Sequence, residues 1–327
     1  MTTFAFKRLA GAALAAAAML SVHGALAQEA WPARNVQFLV PYTPGTGADI
    51  LARILGPRLA ERWKVGVVTE NRAGASGNIG AEFVAKAQPD GYTLLFTATS
   101  FGTNPALSSK LPFDPVKSFT PVSLVATSTM ALVVPVAMPV KNLREFIDYA
   151  RKQPGRLYYS SPGNGNIQHL AMELLKAETK TDLVHVPYKG SGGALGDLVG
   201  GHVQAMVVSL QTVAPYVQSG KLRMLTVLSG ERAPAFPDVP TSKEQGVPAA
   251  EIETWYALLA PAGTPPAVVA KVNAEVNALL ALPDIRELLS RQGMLPAGGR
   301  PERLAETLKV ELARWAKVVQ AAGIKAD

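Results

Sequence analysis

The chain has 327 residues, 48% of them hydrophobic and 17% charged, with a net charge of +7 and no cysteine. That length and composition describe a globular protein of two domains, or one large one, with a sizeable core. The basic excess is spread thinly, without a Lys/Arg cluster or interleaved aromatics, so nucleic-acid binding finds no support.

Lys7-Arg8 precede an apolar run from Leu9 to Leu20 and the small-x-small triplet Ala25-Leu26-Ala27. This is the pattern of a secretory signal peptide, residues 1–27, cut before Gln28. Export invites disulfides, but a domain this large does not need them. The missing cysteine also excludes a lipid-modified mature Cys and favours a freely soluble exported protein. Ser118–Val140 is uncharged and long enough for a membrane span. Pro121, Pro135 and Pro139, with several Ser and Thr, point instead to buried strands and turns.

In chain order, Val36–Val40 reads as a strand closed by a glycine-rich loop from Pro41 to Asp49. Ile50, Leu51, Ile54, Leu55 and Leu59 mark the helix that follows, with Gly56-Pro57 a candidate kink. Asp49 caps or complements that helix start. Strand Val65–Thr69 leads through Gly74–Gly80 into helix Ala81–Ala87, and strand Tyr92–Phe96 ends on Thr97, Thr99 and Ser100. Repeated β-α units with polar loops at the strands' carboxyl ends predict a parallel sheet with a ligand edge. Val122–Val134 is a long extended run, and the alternation restarts at Leu143–Ala150.

The next unit is the most informative. A strand signal from Leu157 to Ser161 meets the turn Pro162-Gly163-Asn164-Gly165-Asn166, and Leu170, Leu174 and Leu175 then recur at helical spacing. Such a helix start presents unpaired N–H groups and a positive dipole end, which suits a carboxylate or phosphate. Gly163 and Gly165 allow close backbone approach, and Ser160, Ser161 and Asn164 supply hydrogen bonds. An ordinary strand-to-helix turn reads the same way.

Strand Leu183–Val186, turn Pro187–Gly193 and helix Ala194–Val199 follow. After them come strands Val203–Ser209 and Leu222–Leu228, with a helix through Val213, Tyr216 and Val217 between. Ile252–Ala260 is a second long extended run. Thr264 caps a helix with Pro265 at its first position, carrying Val268, Val269, Val272, Val276, Leu279 and Leu280 on one face. Leu304, Leu308, Leu312, Trp315 and Val319 line the last helix. Two extended runs bracketing an α/β middle predict two crossings between two α/β domains. The expected division is residues 28–126 with 254–327, and residues 127–253, with a cleft between and hinges near Ala126–Met130 and Glu251–Thr254.

No enzymatic constellation stands out. Gly190–Gly196 misses dinucleotide-loop spacing and its downstream acid. There is no Walker A pair and no Gly-x-Ser-x-Gly elbow. His169, His185 and His202 lack metal-ligand spacing. His169, just inside the central helix, stays a candidate ligand contact, and Tyr42, Phe101 and Tyr188 could stack on a ring or simply pack. The residues name no paired carboxylates for acid–base work.

The residues that carry a family resemblance run nearly end to end: Pro41-Tyr42-x-Pro44-Gly45-x-x-x-Asp49, Glu70-Asn71-Arg72-x-Gly74-Ala75-x-Gly77-Asn78-Ile79-Gly80, Asp90-Gly91-Tyr92-Thr93-Leu94 and Asn104-Pro105-Ala106-Leu107. Gly163-Asn164-Gly165 with His169, His185–Gly190, Pro237–Thr241 and Pro261–Pro265 complete the set. In this order they resemble the Bug (Bordetella uptake gene) family, solute-binding receptors of tripartite tricarboxylate transporters. The resemblance implies an α/β, two-domain periplasmic-binding-protein fold of the Venus-flytrap, type II-like kind, with two crossover strands and the ligand cleft between domains. It implies a monomeric periplasmic receptor for a small organic carboxylate, partnered by membrane transporter subunits, with no cofactor, no metal and no chemistry.

One ligand carboxylate is then expected at Ser160, Ser161, Gly163, Asn164 and Gly165. Tyr42, Gly45, Thr46, Gly47, Ala48 and Asp49 complete the site from the other domain, and Ser100, His169 and Ser209 join them. Two departures stand out: Thr46 where a second glycine is usual, and Val208 where amino-acid-binding relatives often carry Asp. The second disfavours an α-ammonium ligand. An exported ligand sensor, or a hydrolase or lyase using the same cleft, are the alternatives.

Overall fold

The computed structural model describes residues 31–108, 110–188 and 190–324; the expected signal peptide lies outside the described residues. The first half of the architecture is β1 (Val36–Val40), α1 (Gly47–Trp63), β2 (Val67–Asn71), α2 (Asn78–Ala85), β3 (Thr93–Ala98) and α3 (Ser100–Leu107). β4 (Phe119–Pro135) then crosses into α4 (Leu143–Arg151), β5 (Leu157–Ser161), α5 (Ile167–Thr179), β6 (Leu183–Pro187), α6 (Ser191–Val199), β7 (Ala205–Ser209), α7 (Leu210–Gln218) and β8 (Leu222–Val227). β9 (Glu253–Pro261) returns to the first half, followed by α8 (Pro266–Leu280), α9 (Pro283–Arg291), β10 (Met294–Pro296) and α10 (Pro301–Ala322).

The strands run in the order β2-β1-β3-β9-β4-β7-β5-β6, with β8 and β10 also paired to β4. β1 pairs in parallel with β2 and β3, and β5 in parallel with β6 and β7. The crossing strands depart from the parallel pairing expected of the β-α repeats: β9 is antiparallel to β3 and β4, and β4 is antiparallel to β7 and β8. The reason is connectivity. A strand that leaves one half and a strand that returns run in opposite senses. β4 pairs with β9 from Phe119 to Thr129 and with β7 and β8 from Met130 to Pro135, so it changes partners between Thr129 and Met130.

Each half has its own core. Phe38, Leu51, Leu55, Phe96 and Leu258 pack in the first, and Leu132, Tyr159, Leu170 and Leu225 in the second. The alternation of strand and amphipathic helix buries these faces, and burial of each large side chain contributes about 1.5–3 kcal/mol. α10 belongs to both halves. Its Leu304 and Leu308 pack with Leu39 and Trp255, while Trp315 and Val319 pack with Tyr159 and Leu170. The expected division placed all of residues 254–327 in the first domain; the packing of this helix is shared.

Two local expectations change. α1 runs unbroken through Pro57. The α8 cap shifts by one: Pro265 sits extended at the N-cap (φ −54°, ψ 135°), and Thr264 Oγ1 donates back to Pro261 O at 2.8 Å. A residue before proline avoids the helical region, so Pro266 rather than Pro265 opens the helix. α9 and β10 were not legible. α9 buries only Ile285 and Leu289, and β10 is three residues long.

Candidate functional site

A cleft of about 560 Å³ opens between the halves, and helix starts line it. The first half supplies Tyr42–Ala48 at the start of α1, and Thr99 and Ser100 at the start of α3. The second half supplies Pro162 and Asn166–Gln168 at α5, Ser191 and Gly192 at α6, and Ser209, Gln211 and Thr212 at α7. Five helix starts from both halves therefore face one space. At four of them the N-cap residue makes no side-chain cap bond: Thr46, Thr99, Gly190 and Ser209. Only at α5 does the cap side chain engage, Asn166 accepting from His169 N–H at 2.9 Å. Among the described residues that line the cleft none is charged. Its positive potential comes from backbone N–H groups, the arrangement that favours an anion.

Tyr42 hydroxyl shares hydrogen bonds with Thr97 Oγ1 (2.9 Å) and Ser100 Oγ (2.6 Å) and accepts from Ala98 N–H. Tyr256, on the floor, accepts from Gln211 Nε2 at 3.3 Å. Burial raises both phenols above their ordinary value, Tyr256 to about 12, so at neutral pH each keeps its proton.

Asp49 does not line the cleft. Its carboxylate, buried below the α1 start, accepts from Gly45 N–H (2.9 Å), Arg53 Nε (3.0 Å) and Asn71 Nδ2 (2.9 Å), while Asn71 also donates to Tyr42 O. The loop is thus tied at both Tyr42 and Gly45. Burial alone would raise the Asp49 carboxyl; the bonds from Arg53, Gly45 and Asn71 hold it below the usual range. Asp49→Asn puts an N–H donor against donors already in place, and should destabilise the protein by about 1.5–3 kcal/mol. A urea midpoint unchanged from the parent would refute that role.

The structure separates the residues expected from sequence into two groups. Tyr42, Gly45, Thr46, Gly47, Ala48, Ser100 and Ser209 line the cleft. Ser160, Ser161, Gly163, Asn164, Gly165 and His169 form or back the turn below it. Ser160 Oγ donates to Ala194 O (3.0 Å), and Ser161 Oγ donates to Gly163 O (2.8 Å) and lies 2.7 Å from His185 Nε2. His169 Nδ1 accepts from Gly165 N–H at 3.0 Å. Asn164 is half-buried in the turn. The neighbours Pro162, Asn166, Ile167 and Gln168 take the lining positions.

Val208 packs with Ala131, Val133 and Met206 in the second-half core, and its neighbour Ser209 meets the cleft. Phe101 stacks on Phe113 and meets Phe119 edge-on, and Tyr188 bonds Asp197, leaving Tyr42 as the member of that trio in the cleft. Sequence reasoning missed Ser76, Gln168, Ser191, Gly192, Gln211, Thr212, Thr254 and Tyr256. The α6 start had a signal, a glycine-rich strand-to-helix turn like the other two. Tyr256 had none, since it lies inside an apolar extended run.

Two α/β halves joined by crossing strands, with a cleft of helix starts between them, define a periplasmic-binding-protein fold. Residues 51–324 match the tripartite tricarboxylate transporter family receptor. The chain belongs to that family. It is 34% identical over 299 residues to Protein BugT of Bordetella pertussis, covering 91% of this chain and 92% of BugT. Among solved structures it is similar to R. palustris Rpa4515 with adipate (TM-score 0.83, 37% identity, 90% of this chain and 99% of that one). It is also similar to MatC (Rpa3494) from Rhodopseudomonas palustris with bound malate (TM-score 0.79, 35% identity, 88% and 100%).

Proposed function

We propose that this chain is a periplasmic receptor that captures a small organic carboxylate in the cleft and hands it to the membrane subunits of a tripartite tricarboxylate-type transporter, without chemistry. The observation that carries the reading is the convergence of five helix starts on a cleft whose described lining residues carry no charge. One helix terminus contributes roughly 0.3–1 kcal/mol to anion binding, up to about 2 when partly buried. Micromolar capture needs about 8 kcal/mol beyond association costs. A single loop cannot supply that, whereas starts from both halves, closing on the ligand, can. The relatives solved with adipate and malate support a ligand with a carboxylate for each half. The absence of a lining carboxylate among the described residues leaves an ammonium group without a partner, so acids without an amine are favoured.

The test is thermal unfolding of the chain from Gln28 against adipate, malate, aromatic acids, glutamate and the corresponding amides. A ligand at a hundred times its dissociation constant stabilises by about 2.7 kcal/mol, a shift of several degrees. The expected result is a shift with one or more acids and none with their amides. Equal shifts from acid and amide, or none across the acids, would overturn the reading.

A further inference from the structure

We propose that Gln211 is a positioning residue that holds the α7 helix start of one half against the α1 helix start of the other, so that the two sides of the cleft are set together. Gln211 lies in the first turn of α7, and its carboxamide reaches out of its own half in two directions. Its Oε1 accepts from Ser128 Oγ at 2.9 Å, on the segment of β4 that pairs with β9, and its Nε2 donates to Tyr256 hydroxyl at 3.3 Å, on β9. Ser128 and Tyr256 are buried, so neither bond is a surface accident.

Each end of this bridge continues. Tyr256 packs directly beneath Gly47, the first residue of α1. Ser128 Oγ also lies 3.1 Å from Gly293 O, and Thr254 Oγ1 donates to Ser128 O at 2.6 Å. Gly293 itself sits against α7: a Cβ there would lie 3.2 Å from Gln211 N and 3.3 Å from Leu210 Cβ. One side chain therefore ties the α7 start to both crossing strands and, through the Tyr256 ring, to the α1 start. Without the Gln211 carboxamide the buried Tyr256 hydroxyl loses its donor, while Ser128 Oγ keeps Gly293 O, so the cost of breaking the bridge falls mainly on the Tyr256 side. The consequence for carboxylate capture rests on the function proposed above; the coupling itself does not.

Hydrogen–deuterium exchange of the ligand-free chain, read by mass spectrometry, tests it. Gln211→Met keeps the length of the side chain and removes both bonds. Exchange is expected to rise about tenfold in peptides covering 210–214 and also in 42–50, on the other half. Tyr256→Phe should do the reciprocal, raising 210–214 although the substitution lies on β9. The double variant should exceed neither single variant by more than about twofold, because both break one bridge. If Gln211→Met raises exchange in 210–214 alone, or if the two effects multiply in the double variant, Gln211 is a local fixture of α7 and the proposal falls. No carboxylate is present in this experiment, so a failed acid panel and a failed bridge are separate outcomes.

Discussion

Alanine at Gly47 is expected to weaken ligand capture at least tenfold. A Cβ built there falls 2.7 Å from Cε1 of Tyr256 and 2.5 Å from Cζ, well inside contact distance, and the hydroxyl is nearer still. Gly47 opens α1 and its φ is not left-handed, so alanine meets no backbone strain and gains helix propensity. Any loss therefore comes from the contact with Tyr256. That ring cannot step aside freely, since it is buried among Val40, Ala48, Phe96 and Leu258 and bonded to Gln211. The strain is relieved by pushing the α1 start away from the floor, which misplaces its N–H groups. A misplacement of a few tenths of an ångström weakens short, aligned hydrogen bonds first. Tyr256→Leu in the Gly47→Ala background removes the opposing ring atoms and should restore part of the affinity. Titration of an acid found in the thermal panel reads both variants. Parent affinity in Gly47→Ala, or no recovery in the double variant, would show that the close approach does not shape the site.

How far the sequence reaches is clear from particular residues. Strands β1, β5 and β6, and the helices after them, were legible because period-2 and period-3.6 patterns alternate, and because glycine-rich turns mark each change. The two crossings were legible as long, mostly apolar extended runs. Their direction was not, because hydrophobic pattern carries no information on parallel or antiparallel pairing. At the site, the structure puts the loop Tyr42–Ala48 on the cleft, its glycines and small polar residues lying on one short connection. The turn Ser160–Gly165 reads as lining but mostly backs it. A strand-to-helix turn shows one side to the ligand and the other to the core, and sequence does not say which. Ser161 and His169 found partners 24 and 4 residues away along the chain, in His185 and Gly165, and such pairings come only from the fold.

Those same partners make stability fall in weak acid. His169 and His185 stack at 3.8 Å between centroids, 12° from parallel, with Tyr159 stacked on His185 at 4.8 Å. His169 Nδ1 must be unprotonated to accept Gly165 N–H, and the Ser161 hydroxyl links His185 to the same turn. Burial lowers the His185 imidazole to about 4, with repulsion from His169 and Lys176 adding to it and attraction to Glu173 opposing; burial lowers His169 too. Glu173 bonds both Tyr159 and Lys176, so the charges facing the pair nearly balance and burial decides. With folded values below the ordinary 6.5, the unfolded chain takes protons first, and stability drops as pH falls from about 6.5 toward about 4. For His185 the gap between those values bounds the loss at roughly 3 kcal/mol. Urea midpoints between pH 7 and 4 should show this limb in the parent. His185→Phe keeps a ring against Tyr159 and should flatten most of it, whereas phenylalanine at the exposed His202 should not. If His185→Phe loses stability on acidification as steeply as the parent, the stacked pair is not the acid-sensitive element beneath the turn.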